Sequence, residues 1–110
     1  DLDCSLFILA TVVSRPTPTR AVVDAGRKAM DGSTIMPQVT GITGARLVEL
    51  NAEHGILELD GPDVPIKLGD KINFIVGYGD NTVFLHDHLV GARNGKVEAV
   101  WDIQGRGKLT

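Results

Sequence analysis

Residues 76–88 read VGYGDNTVFLHDH and bring a tyrosine, two aspartates and two histidines into one short run. Imidazole nitrogens and carboxylate oxygens are the side-chain donors that hold zinc or manganese, so metal binding is the first chemistry these residue types suggest. Residues two apart on a strand share a face, and the Thr82 to His88 run is expected to be extended, which would aim His86 and His88 the same way. Two imidazoles without a third ligand do not make a closed zinc site. Structural hydrogen bonding is the favoured reading of that pair. Asp80 lies in Gly79-Asp80-Asn81, which is turn chemistry by composition and equally an oxygen ligand for a hard divalent ion. Both readings stand. His54, in Glu53-His54-Gly55, occupies a bend between two strand-like segments and is a candidate for the rim of a site. Gly105-Arg106-Gly107-Lys108 has the letters of a phosphate loop but not the helix start such loops exploit, and reads as a flexible tail.

These residues need a scaffold, and the periodicity along the chain is that of strands. SLFILATVVS (5–14) is apolar throughout, which predicts a strand covered on both sides. Pro16 and Pro18 are expected to break it. RAVVDAG (20–26) returns as a short strand ending at Gly26, where a positive φ would carry a steric cost only for other residues. From Arg27 to Gly41 periodicity is lost, and a loop with one helical turn at RKAM is expected. ARLVELN (45–51) and GILELD (55–60) alternate and are close enough for a hairpin. Lys71 to Val76 follows a turn at Leu68-Gly69-Asp70. Asn94-Gly95 between the last two segments predicts an antiparallel hairpin, because both turn positions favour positive φ.

About seven short strands without a sustained helical period predict an all-β fold, a small antiparallel β-barrel with one irregular loop excursion. Gly77, Gly79 and Gly91 are read as the bends that close it. Trp101 is expected to point inward with Val97 and Ala99 and supply core volume.

At 110 residues and 43% hydrophobic content the chain suits one domain spanning 1–110. A formal charge of −3 with scattered basic residues argues against nucleic acid. No apolar run approaches the length of a membrane helix. A lone Cys4 cannot form an internal disulfide and reads as a core filler, favouring a cytoplasmic setting. The start at Asp1, without an initiator methionine or a charged-then-apolar leader, is expected of a piece of a longer protein.

AVVDAGRKAM (21–30), EHG (53–55) and LGDKINFIVGYGDNTVFLHDHLVGARNGKVEAVWDIQGRG (68–107) together resemble the C-terminal domain of the D-threonine aldolase and D-serine dehydratase family, pyridoxal-phosphate enzymes of the alanine-racemase fold. The resemblance runs from about residue 5 to residue 107. It implies an N-terminal TIM-type barrel, absent from this chain, that carries pyridoxal phosphate on a lysine. The β-domain looks across at that lysine and contributes a divalent site for manganese or zinc. Lys28, Lys67, Lys71, Lys96 and Lys108 are then in the wrong domain for the Schiff base, so neither catalytic nor cofactor-binding residues are expected here, and the fragment alone should be inactive.

The family's metal motif, Pro-x-His-x-Asp or Pro-x-His-x-Cys, precedes a Thr-Val-x-Leu-His-Asp run that is intact here as Thr82 to Asp87. Counting back, the resemblance puts the motif proline at Val76, the ligating histidine at Tyr78 and the ligating acid at Asp80. A phenol near its usual pKa of about 10 is protonated and a poor ligand beside imidazole, so Tyr78 is expected to weaken or abolish the metal. Its ring is otherwise read as packed on the barrel mouth. Asp24, Gly26 and Lys28 match the family's Asp-Ala-Gly-x-Lys stretch, and Asp24 joins His54 and His86 as possible rim residues.

The implied function is that of the C-terminal domain of a pyridoxal-phosphate D-amino-acid lyase, an aldolase or a dehydratase. Its partners would be its own N-terminal barrel, a second copy in a homodimer and a small D-amino acid, with no nucleic acid and no membrane. Two rivals remain: a non-catalytic β-barrel binding or assembly module, and a metal-binding domain built on His86, Asp87 and His88.

Overall fold

A computed structural model describes residues 6–76, 79–83 and 85–104. The longest strand, β1 (Phe7–Thr17), pairs antiparallel with β2 (Arg20–Val23) on one side and β6 (Lys71–Ile75) on the other. β2 pairs with β5 (Gly55–Leu59), β5 with β4 (Ala45–Leu50), and β6 with the two-residue β3 (Gln38–Val39). The resulting six-stranded sheet has the order β3-β6-β1-β2-β5-β4. Its two end strands, β3 and β4, come into contact, so the sheet curls into a nearly closed antiparallel barrel. A single helical turn, α1 (Gly79–Val83), leads to a separate hairpin of β7 (His88–Arg93) and β8 (Lys96–Asp102).

The expected all-β barrel is therefore present, with a different membership. β3 lies inside the region expected to be only a loop; two residues are too few to show a period, and pairing with Phe74 and Ile75 defines them. The final hairpin is not part of the barrel wall. Its turn at Asn94 (φ 51°) and Gly95 (φ 78°) follows the sequence signal. Gly91 does not bend a barrel: it sits at a bulge between β7 and β8, and a Cβ there would stand 2.6 Å from the Trp101 ring. Trp101 covers that bare backbone instead of filling the core and is 56% exposed. Gly79 opens α1, and Gly77 is outside the described residues, as are Cys4 and the 105–108 tail.

The barrel interior is filled by alternating residues: Ala10 and Val12 from β1, Ala21 and Val23 from β2, Leu57 and Leu59 from β5, Ile72 and Phe74 from β6. Period-two alternation sends one side of each strand inward. β1 was expected to be covered on both faces, yet its outward Leu9 is 63% exposed. Composition says that both faces are apolar; it does not say what lies against the outer one. β1 also runs through Pro16 and turns only at Pro18-Thr19, with register shifts on either side of Ser14 that leave Pro16 unpaired in the ladder.

Two devices tie the loops to the barrel. The Arg15 guanidinium donates to the carbonyls of Ile66 at 2.7 Å, Val64 at 2.8 Å, Pro18 at 2.9 Å, Gly61 at 3.2 Å and Pro62 at 3.4 Å. A planar fork of donors can satisfy that many carbonyls at once, and it clamps the 61–66 connection, including buried Val64 and Ile66, over the end of β1. On the outer face of β4 and β5, Arg46 bonds Glu58 at 2.9 Å and Asp60 at 2.8 Å. These hydrogen bonds, Glu58 first and Asp60 next, raise the arginine pKa above its ordinary value.

Gly26 is the tightest point. Its φ is not positive, contrary to the sequence expectation. The need for glycine is steric: a Cβ would stand 2.5 Å from the His54 nitrogen and 2.8 Å from the Glu53 carbonyl carbon, with the Asn51 oxygen nearer still. All three are backbone atoms that cannot rotate away. Gly26→Ala should therefore cost the protein about 2 kcal/mol or more, read as a lowered denaturation midpoint. Gly61→Ala, where a Cβ meets nothing within 4 Å, should leave the midpoint nearly unchanged.

Candidate active-site cleft

The close approach at Gly26 fixes the start of the loop that follows. Arg27 N–H donates to Asn51 O at 2.7 Å and Lys28 N–H to Ala52 O at 3.0 Å, so the loop lies along the β4–β5 bend. Met30 N–H then donates to Gly26 O at 3.0 Å, closing the one helical turn expected at RKAM, and the Met30 side chain is fully buried. This turn presents two backbone groups to the α1 segment. Ala29 O receives the His86 Nε2 at 2.7 Å, and Asp31 N–H donates to Thr82 Oγ1 at 3.2 Å.

Thr82 is 1% exposed and is the buried polar residue among the described ones. Its hydroxyl is the reason the 79–86 segment can pack against the loop without leaving a donor unpaired. After α1 the chain tightens: Leu85 N–H donates to Thr82 O and His86 N–H to Val83 O, both at 3.1 Å. The hairpin is tied to this turn through Ile103 N–H on Asp87 O at 2.8 Å.

A cleft of about 670 Å³ opens between the end of the barrel and the hairpin. Phe7, Ile8 and Asn73 line it from the barrel, Thr82 and His86 from the α1 segment, and His88 from the hairpin. It combines an apolar floor with a few polar groups, the usual make-up of a small-molecule site.

The residues singled out in the sequence distribute unevenly around it. His86 lines the cleft. His86 and His88 do not, however, share a strand face: His86 lies in the turn before β7, and His88 begins β7 and pairs with Asp102 at 3.1 Å. The extended reading of Thr82 to His88 fails because the Thr82 hydroxyl and the carbonyls of Thr82 and Val83 are engaged in the α1 turn and its packing, which a strand pattern cannot register. No group of three or more His, Cys, Asp or Glu side chains placed to hold a metal occurs among the described residues.

Asp80 stands in α1, and Tyr78 lies outside the described residues. Asp24 accepts the Thr11 N–H at 2.8 Å and donates its own N–H to Thr11 O at 3.1 Å, extending the β1–β2 ladder with its side chain. His54 is exposed, and its carbonyl accepts Asn51 N–H at 2.8 Å to close the bend. Lys28 pairs with Glu53 at 3.5 Å with both side chains 70% exposed, a contact that contributes little in water. Thr82 and the Ala29 carbonyl were not singled out as site-forming. The only signal for the threonine was a polar residue amid Val83, Phe84 and Leu85, and nothing in a sequence marks a particular carbonyl.

A curled antiparallel barrel with an attached hairpin and a cleft of mixed apolar and polar lining between them defines a small β-domain. The comparisons say which kind. Residues 5–92 match the family described as "Putative serine dehydratase domain", and the chain belongs to that family. It is 42% identical over 104 residues to a 3-hydroxy-D-aspartate aldolase of Paracoccus denitrificans, covering 94% of this chain and 26% of that protein. It is 39% identical to a D-threonine aldolase of an Arthrobacter species, covering 27% of it. The crystal structure of D-threonine aldolase from Filomicrobium marinum superimposes with a TM-score of 0.89 at 33% identity, over 94% of this chain and 29% of that one. The chain thus spans about a quarter of the length of these relatives. Among the described residues no helix is long and apolar enough to cross a membrane.

Because the Thr82 hydroxyl is the acceptor that joins α1 to the loop, Thr82→Val should keep the packing volume and strand the Asp31 N–H. The expected cost is about 1–2 kcal/mol, measurable by denaturant titration, with Thr82→Ser close to the unsubstituted protein.

Proposed function

We propose that this chain is the β-domain of a longer pyridoxal-phosphate lyase that cleaves β-hydroxy-D-amino acids in an aldol sense, with dehydration as the neighbouring chemistry. The observation that carries this reading is the 42% and 39% identity, across 94% of the chain, to aldolases named for 3-hydroxy-D-aspartate and D-threonine. Both compounds carry a hydroxyl on the β-carbon. The polar-rimmed cleft beside α1 supports the reading, since it lies next to the run that the resemblance assigns to the active-site side of the domain.

Pyridoxal phosphate, bound by the rest of the longer protein, would supply the electron sink that makes carbon–carbon cleavage feasible. The part of this chain is to wall the site, exclude water and hold the substrate's hydroxyl. The outward face of β1, with Leu9 63% exposed, and the hairpin, with Val97 64% and Val100 58% exposed, offer apolar area that fits against the remaining three-quarters of such a protein or a second subunit. Function in the cytoplasm as a homodimer belongs to the same proposal.

The donor set that this chain offers at the motif is Tyr78 and Asp80, and a protonated phenol does not fit the place of an imidazole ligand. No step is therefore assigned to a metal ion here. Tyr78 weakens or abolishes the divalent site.

Two measurements on the intact protein check this reading. Supplied with pyridoxal phosphate and either D-threonine or 3-hydroxy-D-aspartate, it should release glycine and the corresponding aldehyde; keto acid with ammonia would assign it to dehydration, and no product would sink the lyase reading. Elemental analysis should find less than one divalent ion per subunit, rising toward one in Tyr78→His; one tightly held ion per subunit in the unsubstituted protein would overturn the weakened site.

A further inference from the structure

We infer that His86 presents an unprotonated Nδ1 to the cleft and accepts a hydrogen bond from the ligand's hydroxyl. The inference rests on the proposed reading for the identity of that ligand, a β-hydroxy-D-amino acid, but its structural basis is independent of it.

A backbone carbonyl can only accept, so the 2.7 Å contact between Nε2 and Ala29 O requires the proton of a neutral ring on Nε2. The tautomer is thereby set, and Nδ1 carries the lone pair. Among the described residues no hydrogen bond to Nδ1 is seen, and the ring is only partly buried while it lines the cleft. An imidazole oriented by one nitrogen on a main-chain carbonyl, with the other facing open space, is the arrangement by which proteins aim a histidine lone pair at a ligand.

The orientation is also well supported. The Ala29 carbonyl belongs to a turn closed by Met30 N–H on Gly26 O at 3.0 Å, and that turn is held on the β4–β5 bend by Arg27 and Lys28. Thr82, one turn before His86, anchors the same segment through Asp31. The histidine is thus fixed at its ring by the Ala29 carbonyl, which does not line the cleft, and along its backbone by the turn through Thr82 and Val83, the kind of support a ligand-contacting side chain requires to keep its aim. A purely structural latch would need only the Nε2–H donor.

That difference gives the test. In the full-length protein, His86→Gln places an amide N–H where Nε2 stands and keeps the bond to Ala29, but offers nothing at the Nδ1 position. His86→Asn does the reverse: its amide oxygen reaches the Nδ1 position, while the Ala29 carbonyl loses its donor. We expect His86→Gln to melt like the unsubstituted protein and to lose at least about tenfold in kcat/KM for D-threonine, the scale of one hydrogen bond. His86→Asn should melt earlier and retain more of kcat/KM than His86→Gln. If activity instead follows stability, with His86→Gln fully active, the inference is overturned.

Nitrogen-15 spectra of the labelled imidazoles read the tautomer without any substrate. An Nε2–H form supports the inference, and an Nδ1–H form overturns it. Should the unsubstituted protein turn over neither D-threonine nor 3-hydroxy-D-aspartate, the lyase reading falls, and the Nδ1 resonance decides His86 by itself. A shift on adding D-threonine that D-2-aminobutyrate, which lacks the hydroxyl, does not produce upholds the inference; no shift overturns it.

Discussion

Gly26 touches the backbone of the β4–β5 bend so closely that no side chain fits between them, and the placement of the candidate site follows from that contact. Close approach lets Arg27 and Lys28 donate to the carbonyls of Asn51 and Ala52. Those bonds lay down the turn that ends at buried Met30. The turn in turn offers Ala29 O to His86 and Asp31 N–H to Thr82. A displacement at the bend would therefore pass through two short loops to the cleft, because each step is a hydrogen bond between main-chain groups or to a buried side chain, with little slack to absorb it.

The barrel is the rigid reference for this chain of contacts. Its interior is aliphatic, with Phe74 and Met30 as the largest fully buried side chains. The sheet does not close by hydrogen bonds between β3 and β4; those strands only touch. What the ladder leaves open, loops cover. Arg15 holds one of them by saturating its guanidinium with carbonyls, a use of charge that needs no carboxylate. The hairpin of β7 and β8 stands apart from this core, and several of its apolar residues are exposed. Two paired strands alone are marginally stable in water, so the hairpin relies on Trp101 packing over Gly91 and on the Ile103 to Asp87 bond at its base.

For function, the structure divides what the domain holds from what it faces. The cleft gathers Thr82, His86, His88 and Asn73 without gathering a metal-binding cluster among the described residues. Asp24, matched to the family's stretch by spacing, is engaged in backbone pairing with Thr11. The chain belongs to the serine dehydratase domain family and is 42% and 39% identical to two aldolases over nearly its whole length.

Period-two alternation, turn residues and the absence of a helical period were enough to determine an all-β fold from the sequence, because these are local properties and each strand displays its own. The hairpins at 51–54 and 94–95 were legible for the same reason, as was the motif run that marks the family. Other features depended on partners distant in the chain. Two-residue β3 exists only through pairing with β6, and Gly26 is required by a bend some twenty-five positions away rather than by its own φ. Thr82 to Asp87 looked extended because a β-branched, apolar run suits a strand; Thr82 instead lies in α1 and His86 in a turn, because the hydroxyl of Thr82 and the ring of His86 find the 29–31 backbone. Sequence carries the pattern of faces and turns, and packing alone decides which backbone group meets which side chain. That choice is what gave His86 its partner and its place on the cleft.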